Sequence, residues 1–402
     1  MNTAIKAPLD GIRVIDLTQI IAGPFCARLL ADCGAEVIKL EPVTGEHMRN
    51  APPTRDGMSS YYGQLNAGKK SVALNITDPR VRDVVRKLIA QSDVVVENFR
   101  PGVMKRLGLG YESLAAENPD LIYCAISGFG QEGPRALQPA YAPVIHAACG
   151  LETSMMEFQE GDAAPRKSGA YFADYMAAAY GFGAIQTGLL SRFRYGGGRF
   201  IDVALMDSMI NMLAIEVQAS QFPLENPRRG FGPVEAKDGY VITTPITQKN
   251  FELLTKAIER PDMADDPRFE TAFKRTANWN DLMDQVQLWT KQRPALECEE
   301  VLMAAGIPCS RYQTVGQAIA DPQTEARGLM QTVEDAAGPF KVPNPPYKFN
   351  DGTVGVSSTV ASAGQHTKEV LTELGGVSES ELDALLAANL VFADNRRRIQ
   401  TP

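Results

Sequence analysis

Two hydrophobic patterns alternate along the first half of this chain. Short apolar, β-branched runs (IRVIDL at 12–17, EVIKL at 36–40, SVALNI at 71–76, DVVVEN at 93–98 and LIYCAIS at 121–127) are separated by helical stretches, notably 24–32 and VRDVVRKLIA at 81–90. Strands this uniformly apolar are buried on both faces, so the pattern predicts an α/β fold with a doubly wound parallel sheet. Ligands of such folds sit at the carboxyl ends of the strands. A long helix follows from about Asp174 to Arg194, DYMAAAYGFGAIQTGLLSRFR, closed by Gly196, Gly197 and Gly198. Its small residues suit close packing against a neighbour. Another strand is predicted at 199–205 and another helix at 206–220.

The pattern changes beyond residue 221. FPLENPRRGFGPVEAKDG (222–239) is rich in Pro, Gly and charge and reads as a linker. The strand YVITTPI, helices near 249–259, 280–291 and 296–305, and GIPCSRYQ predict a compact second domain. KVPNPPYKFN (341–350) reads as a return linker, and amphipathic helices near 365–375 and 378–389 pack back on the first domain. The predicted division is a large α/β domain in 1–221, a linker in 222–238, a smaller α+β domain in 239–325, and a return linker with the C-terminal part of the large domain in 326–402.

Composition narrows the function. Of 402 residues, 40 are Lys or Arg and 48 Asp or Glu, a net charge of −8 that disfavours a nucleic-acid partner. There are three histidines, His47, His146 and His366, none in HExxH spacing, which excludes a zincin and leaves little imidazole chemistry. Six cysteines without a CxxC pair predict reduced, mostly buried thiols. MNTAIKAPLDG lacks the apolar core of a signal peptide and no apolar run reaches bilayer length, so a cytoplasmic address and no membrane partner are expected.

Two phosphate-loop look-alikes fail on context. Gly63-Gln-Leu-Asn-Ala-Gly68-Lys69-Lys70 is one residue short of a Walker A loop and runs into a strand instead of a helix. Gly128-Phe-Gly130-Gln-Glu-Gly133 follows a strand, but Pro134, Pro139 and Pro143 oppose a helix opening there, as dinucleotide binding requires. Lys69, Lys70, Arg100, Lys105 and Arg106 lie near strand ends, either as a solvated basic face or as a pocket for a phosphorylated ligand with Asn98. Asp174, in the first turn of the small-residue helix, is either a cap or an ionised nucleophile in a desolvated, glycine-lined site. His146 reads as a packed histidine, and Met155, Met156 and Phe158 as core or as an apolar cavity wall.

The segments PLDGIRVIDLTQIIAGPFCARLLADCGAEVIKLEP, LNAGKKSVALN, DVVVENFRPGVMKRLGLGYESLAAENPDLIYCAISGFGQEGP, GAYFADYMAAAYG, GGGRFIDVALMDS, GIPCSRYQTVGQAIADPQ and GQHTKEVLTELG, in this order from about residue 7 to 390, resemble the class III coenzyme A transferases. That family includes formyl-CoA transferase, crotonobetainyl-CoA:carnitine CoA-transferase and the α-methylacyl-CoA racemases. The resemblance implies a Rossmann-like large domain built from both chain ends, a small domain, and an interlocked homodimer. It implies that Asp174 attacks a donor thioester to give an aspartyl anhydride, then an aspartyl-CoA thioester that an acceptor carboxylate resolves. No permanently bound cofactor, ATP or metal is then needed, because coenzyme A and acyl-CoA enter as substrates. Ile20, Ile21, Ala22, Asn66, Lys69, Asn98, Phe99, Arg100 and Arg106 correspond to CoA contacts, and Tyr141 to the segment approaching the thioester. Pro42 departs from the pattern, standing where formyl-CoA transferase has an arginine.

The expected reaction is reversible CoA transfer between an acyl-CoA, succinyl-CoA by family habit, and a small carboxylic acid. The alternative is an α-methylacyl-CoA racemase, whose His/Asp pair moves protons on either side of the α-carbon. Its histidine falls in the segment aligned with Ala140-Tyr141-Ala142, where this chain has tyrosine. A third possibility is a non-catalytic acyl-CoA-binding paralogue, against which the retained Asp174 argues.

Overall fold

The computed structural model of the chain describes residues 5–158, 164–165, 168–223 and 230–394. They form two compact units: the described residues within 1–156, 163–214 and 325–402 make one, and those within 157–162 and 215–324 the other. The expected linker at 222–238 lies outside the described residues over 224–229, and the expected C-terminal part lies outside them over 395–402.

The larger unit is built on a seven-stranded sheet. Its strands are β1 (Arg13–Asp16), β2 (Glu36–Glu41), β3 (Lys70–Leu74), β4 (Val94–Glu97), β5 (Ile122–Ser127) and β6 (Arg199–Ala204), closed later by a short seventh strand. These six run parallel in the order β3-β2-β1-β4-β5-β6. That is the doubly wound order, and the chain reverses direction across the sheet between β1 and β4. Ile15 pairs with Ile38 on one side and Val95 on the other, so each strand buries apolar residues on both faces, as the unbroken apolar runs require.

One face is covered by a core that joins Ile15, Leu17, Val95 and Tyr123 to Val85, Leu88 and Leu371. Among the covering helices, the one at Pro79–Ala90 starts on an Asp78 cap with proline in its first turn. The other face is covered by α1 (Ala22–Asp32) and, beyond the short α2 (Ala142–Ala148), by the long helix α3 (Phe172–Tyr195). Ala177, Ala178, Gly181, Ile185 and Gly188 recur on one stripe of α3 and are buried. A Cβ added at Gly181 would sit 3.2 Å from Cys26 Sγ and 3.4 Å from Ile126. Glycine therefore allows α3 to lie close to both α1 and β5.

The expected helix at 206–220 is two, Leu205–Met212 and Ala214–Gln221, broken at Leu213 (ψ 51°). The expected linker at 341–350 begins inside a strand: Met330–Asp335 (β7 in the chain order of this unit) pairs antiparallel with Gly338–Pro343 (β8). The segment after them carries helices Thr367–Glu373 and Glu379–Ala387, the second opened by a Ser378–Glu381 capping box, and ends in β9 (Val391–Phe392), antiparallel to β3 at the sheet edge.

The smaller unit has its own core. Strands Val234–Ala236, Gly239–Thr243 and Cys309–Arg311 form an antiparallel sheet with Gly239–Thr243 central. Helices Gln248–Ala257, Trp279–Thr290 and Ala295–Ala304 close Phe251, Leu254, Phe269, Leu282, Val286 and Leu302 over it. All six cysteines of the chain are unpaired thiols. Among the described residues no helix is long and apolar enough to cross a membrane.

Candidate functional site

Where β1 ends, the chain forms a strap, Leu17–Ile21, that leads into α1. The equivalent segment after β4 is Asn98-Phe99-Arg100, and the two meet at the sheet's reversal point. Asn98 joins them reciprocally: its Oδ1 accepts the Gln19 N–H at 2.8 Å and its Nδ2 donates to the Gln19 carbonyl at 2.8 Å. Phe99 N–H in turn donates to Glu97, a buried carboxyl that burial pushes up to about 8. From the opposite side the first turn of α3 brings Asp174, and the edge-on contact of Phe25 with Tyr175 (5.0 Å) fixes the starts of α1 and α3 to each other.

Between these elements lies a cavity of about 270 Å³. Of the residues expected from sequence, Ile20, Ala22, Asn98, Phe99, Arg100, Tyr141 and Asp174 line it together. Ile21 does not; it is the buried residue at the N-cap position of α1. Arg106 is exposed at the end of the short helix Val103–Arg106, away from the wall. A second cavity of about 250 Å³ opens at the ends of β1, β2 and β3, walled by Pro42, Asn75, Ile76 and Thr77, and it shares Gln19 and Phe99 with the first.

Lys69 and Asn66 correct the expectation of a phosphate-facing cluster. Lys69 is buried and donates to Asp16 (2.8 Å), to the Pro24 carbonyl (2.8 Å) and to Asn66 Oδ1 (2.9 Å). Asn66, also buried, spends its amide on the Tyr62 carbonyl. The three donors of the ammonium all have internal partners, so its charge answers Asp16 beneath the strap and is not presented to an anion. Burial pushes Lys69 down to about 8. Met155 and Phe158 are 50% and 40% exposed, so they are not core residues, and they wall neither of these two cavities.

Asp174 is not a cap. Helix α3 starts at Phe172 after Tyr171, which makes no side-chain cap bond, and Asp174 is its third residue. The Ala22 N–H of α1, in the same cavity wall, stabilises the charged form of Asp174. Burial raises its pKa to about 6 against the opposing pull of that N–H. The group is thus ionised at neutral pH while largely stripped of water, which suits a nucleophile.

His146 is 1% exposed on α2, and its Nε2 accepts the Ala173 N–H at 3.2 Å. That amide is one of the unpaired donors at the start of α3, so the imidazole does the capping that no side chain of α3's own start does. Burial lowers its pKa and Glu152 pulls the other way. The lone pair a general base would need is already committed.

Sequence reasoning missed Gln19, Ser127 and Gln138 in the cavity wall and Asn75–Thr77 in the second cavity. Ser127 is 7% exposed and its hydroxyl has no hydrogen-bond partner. Most of these residues lie at or just beyond the carboxyl ends of predicted strands, and the rule that ligands sit there was the signal for them.

A family model described as CoA-transferase family III matches residues 9–367. Mouse succinyl-CoA:glutarate CoA-transferase is 32% identical over 96% of this chain and 90% of its own. Succinyl-CoA:mesaconate CoA-transferase of Haloarcula marismortui is 32% identical over 91% and 96%. The crystal structure of a CAIB/BAIF family protein from Brucella suis superposes with a TM-score of 0.81 at 33% identity, covering 92% of this chain and all of the other.

Proposed function

This chain belongs to CoA-transferase family III and is a CoA-transferase, and on that premise we propose that it moves CoA from succinyl-CoA to a small carboxylic acid, with Asp174 as nucleophile. The observation that carries the proposal is the partly desolvated Asp174 carboxylate in the wall of a cavity at the sheet's reversal point.

The Asp174 oxygen attacks the thioester carbonyl, the C–S bond breaks, and CoA leaves as thiolate with an acyl-aspartyl anhydride behind. The thiolate attacks the aspartyl carbonyl and displaces the donor acid, forming an aspartyl-CoA thioester. An acceptor carboxylate then displaces CoA to form a new anhydride, and the thiolate attacks the acceptor's acyl carbon, releasing product and regenerating Asp174. Each step trades one activated acyl group for another, so neither ATP nor a metal enters. Exclusion of water protects both intermediates.

The two cavities sharing Gln19 and Phe99 support a ligand longer than either, with the acyl end by Asp174 and Tyr141 and the nucleotide end beyond Phe99. Glutarate and mesaconate, named as acceptors of the relatives, support a dicarboxylate acceptor. The racemase alternative has no observation in its favour, since His146 is bonded to Ala173 and Tyr141 stands in the loop. Exposed Leu190, Phe193 and Tyr195 on α3, the second of them 90% exposed, support the interlocked homodimer. Six unpaired thiols support a cytoplasmic location. The separate core of the smaller unit supports a small domain that ends near 325 but starts before 239, because the strand Val234–Ala236 of the expected linker 222–238 belongs to its sheet and core.

Mass spectrometry after incubation with succinyl-CoA and hydroxylamine tests the mechanism. A hydroxamate on Asp174 is expected, with no transfer by Asp174→Ala. Transfer by that variant would defeat the proposal.

A further inference from the structure

The strap between β1 and α1 holds a backbone conformation that its sequence disfavours. Ile20 has φ +70°, in the left-handed region, where a β-branched side chain is strained. Glycine would adopt that conformation freely; isoleucine has to be held there. The Ile20 N–H donates to Glu46 Oε1 at 2.8 Å. Glu46 is buried, and its other oxygen lies 3.2 Å from Lys39 Nζ. Lys39 reaches back to the Thr18 carbonyl at 2.8 Å, and Asp16 accepts the Thr18 N–H at 2.9 Å. The Glu46 N–H is fixed at 2.8 Å by Glu41, which Arg49 grips with two nitrogens.

The buried charges beneath the strap balance: Asp16, Glu41 and Glu46 against Lys39, Lys69 and Arg49. Within this network one carboxylate oxygen is set aside for the N–H of the single strained residue. Glu46 walls neither cavity, and its two oxygens and its N–H are turned to Ile20, Lys39 and Glu41. Two residues beyond Ile20, Ala22 shares the cavity wall with Asp174 and its N–H favours the charged carboxylate, and a relaxed Ile20 would swing that donor away.

We propose that Glu46 is a positioning residue: it holds Ile20 in the left-handed conformation and thereby keeps the Ala22 N–H aimed at Asp174. The catalytic consequence rests on Asp174 being the nucleophile, whereas the clamp itself concerns only the strap.

A cycle of four full-length proteins tests it: wild type, Glu46→Ala, Ile20→Gly and the double variant. Hydrogen exchange of peptides spanning 17–25 should speed up in Glu46→Ala, because the amide acceptor is gone. The kcat should fall by about tenfold or more, with KM for succinyl-CoA changed less than about threefold, and the same substitution in the Ile20→Gly background should cost less than about threefold, since glycine needs no clamp. An equal loss in both backgrounds overturns the proposal and assigns the effect to the charge on Lys39. If Glu46→Ala does not fold, Glu46→Gln, which keeps an oxygen for the Ile20 N–H, takes its place. It should retain the exchange protection of the strap, and loss of that protection overturns the clamp. Adduct formation on wild-type Asp174, measured alongside, separates the two ideas: its absence sinks the nucleophile reading, while the exchange data still decide the clamp.

Discussion

Replacing Asp174 with asparagine should abolish transfer and stabilise the protein, and both effects come from one desolvated carboxylate. Burial raises its pKa from the ordinary aspartate value of 3.8 to about 6. That difference puts the cost of the ionised form in the fold at about 3 kcal/mol. The sign follows from proton binding. Between pH 3.8 and 6 the folded state holds the proton more tightly than the unfolded chain, so this group's contribution to stability falls as pH rises through that window. Asparagine keeps the size and an oxygen for the Ala22 N–H but never ionises. The variant should therefore be more stable than wild type by about 3 kcal/mol at pH 8, by about half that at pH 5, and by little below pH 4. If the whole chain unfolds together, about 3 kcal/mol corresponds to a Tm gain of roughly 3–4 °C at pH 8. Scanning calorimetry of both proteins at pH 8 and pH 5 measures it. A variant no more stable than wild type at pH 8, or stabilised equally at both pH values, refutes the desolvation argument. Activity should show the opposite trend, rising with a single ionisation near pH 6 as the nucleophile becomes charged.

Lys69→Met removes the cation that directly pairs with buried Asp16, leaving it to Thr18 and the field of Lys39, and should cost about 3–5 kcal/mol in urea unfolding, while any folded fraction keeps the wild-type KM for acyl-CoA. Arg100→Ala, at an exposed cavity-wall position, should do the reverse: stability within about 0.5 kcal/mol of wild type, but a higher KM for acyl-CoA and a weaker dependence of KM on salt. His146→Phe removes the acceptor of the Ala173 N–H and should cost about 1–3 kcal/mol. Neither it nor wild type should wash deuterium into the α-carbon of 2-methylacyl-CoA, and rapid exchange by wild type would revive the racemase reading.

The sheet was legible because burial on both faces leaves a pattern that no other arrangement produces. All six parallel strands fall inside the apolar runs at 12–17, 36–40, 71–76, 93–98, 121–127 and 199–205 or within a residue of them. The Met330–Pro343 hairpin was not legible, since MQTVED and GPFKVP bury only alternate residues such as Val333 and Val342, and the Pro-rich tail of the second strand reads as a linker. Leu213 breaks its helix without glycine or proline, which leaves propensity nothing to detect.

Charge was the least legible feature of the site, for a reason visible in Lys69 and Arg100. Lys69 precedes β3 and Arg100 follows β4, and in one dimension both are cations at a strand end awaiting an anion. In the fold, Lys69 finds its anion 53 residues away in Asp16, a carboxylate that burial pushes up and that Lys69 and Lys39 hold below its ordinary range. Arg100 has no comparable demand from the interior and stays exposed at the cavity wall. A lysine that looks like a phosphate ligand can thus be committed to the floor on which the ligand rests. What separates the two roles is whether a buried carboxylate elsewhere in the chain must be neutralised before the strap can close. Removing the cation should then destabilise the fold at Lys69 and weaken acyl-CoA binding at Arg100, and paired measurements of stability and KM tell these outcomes apart.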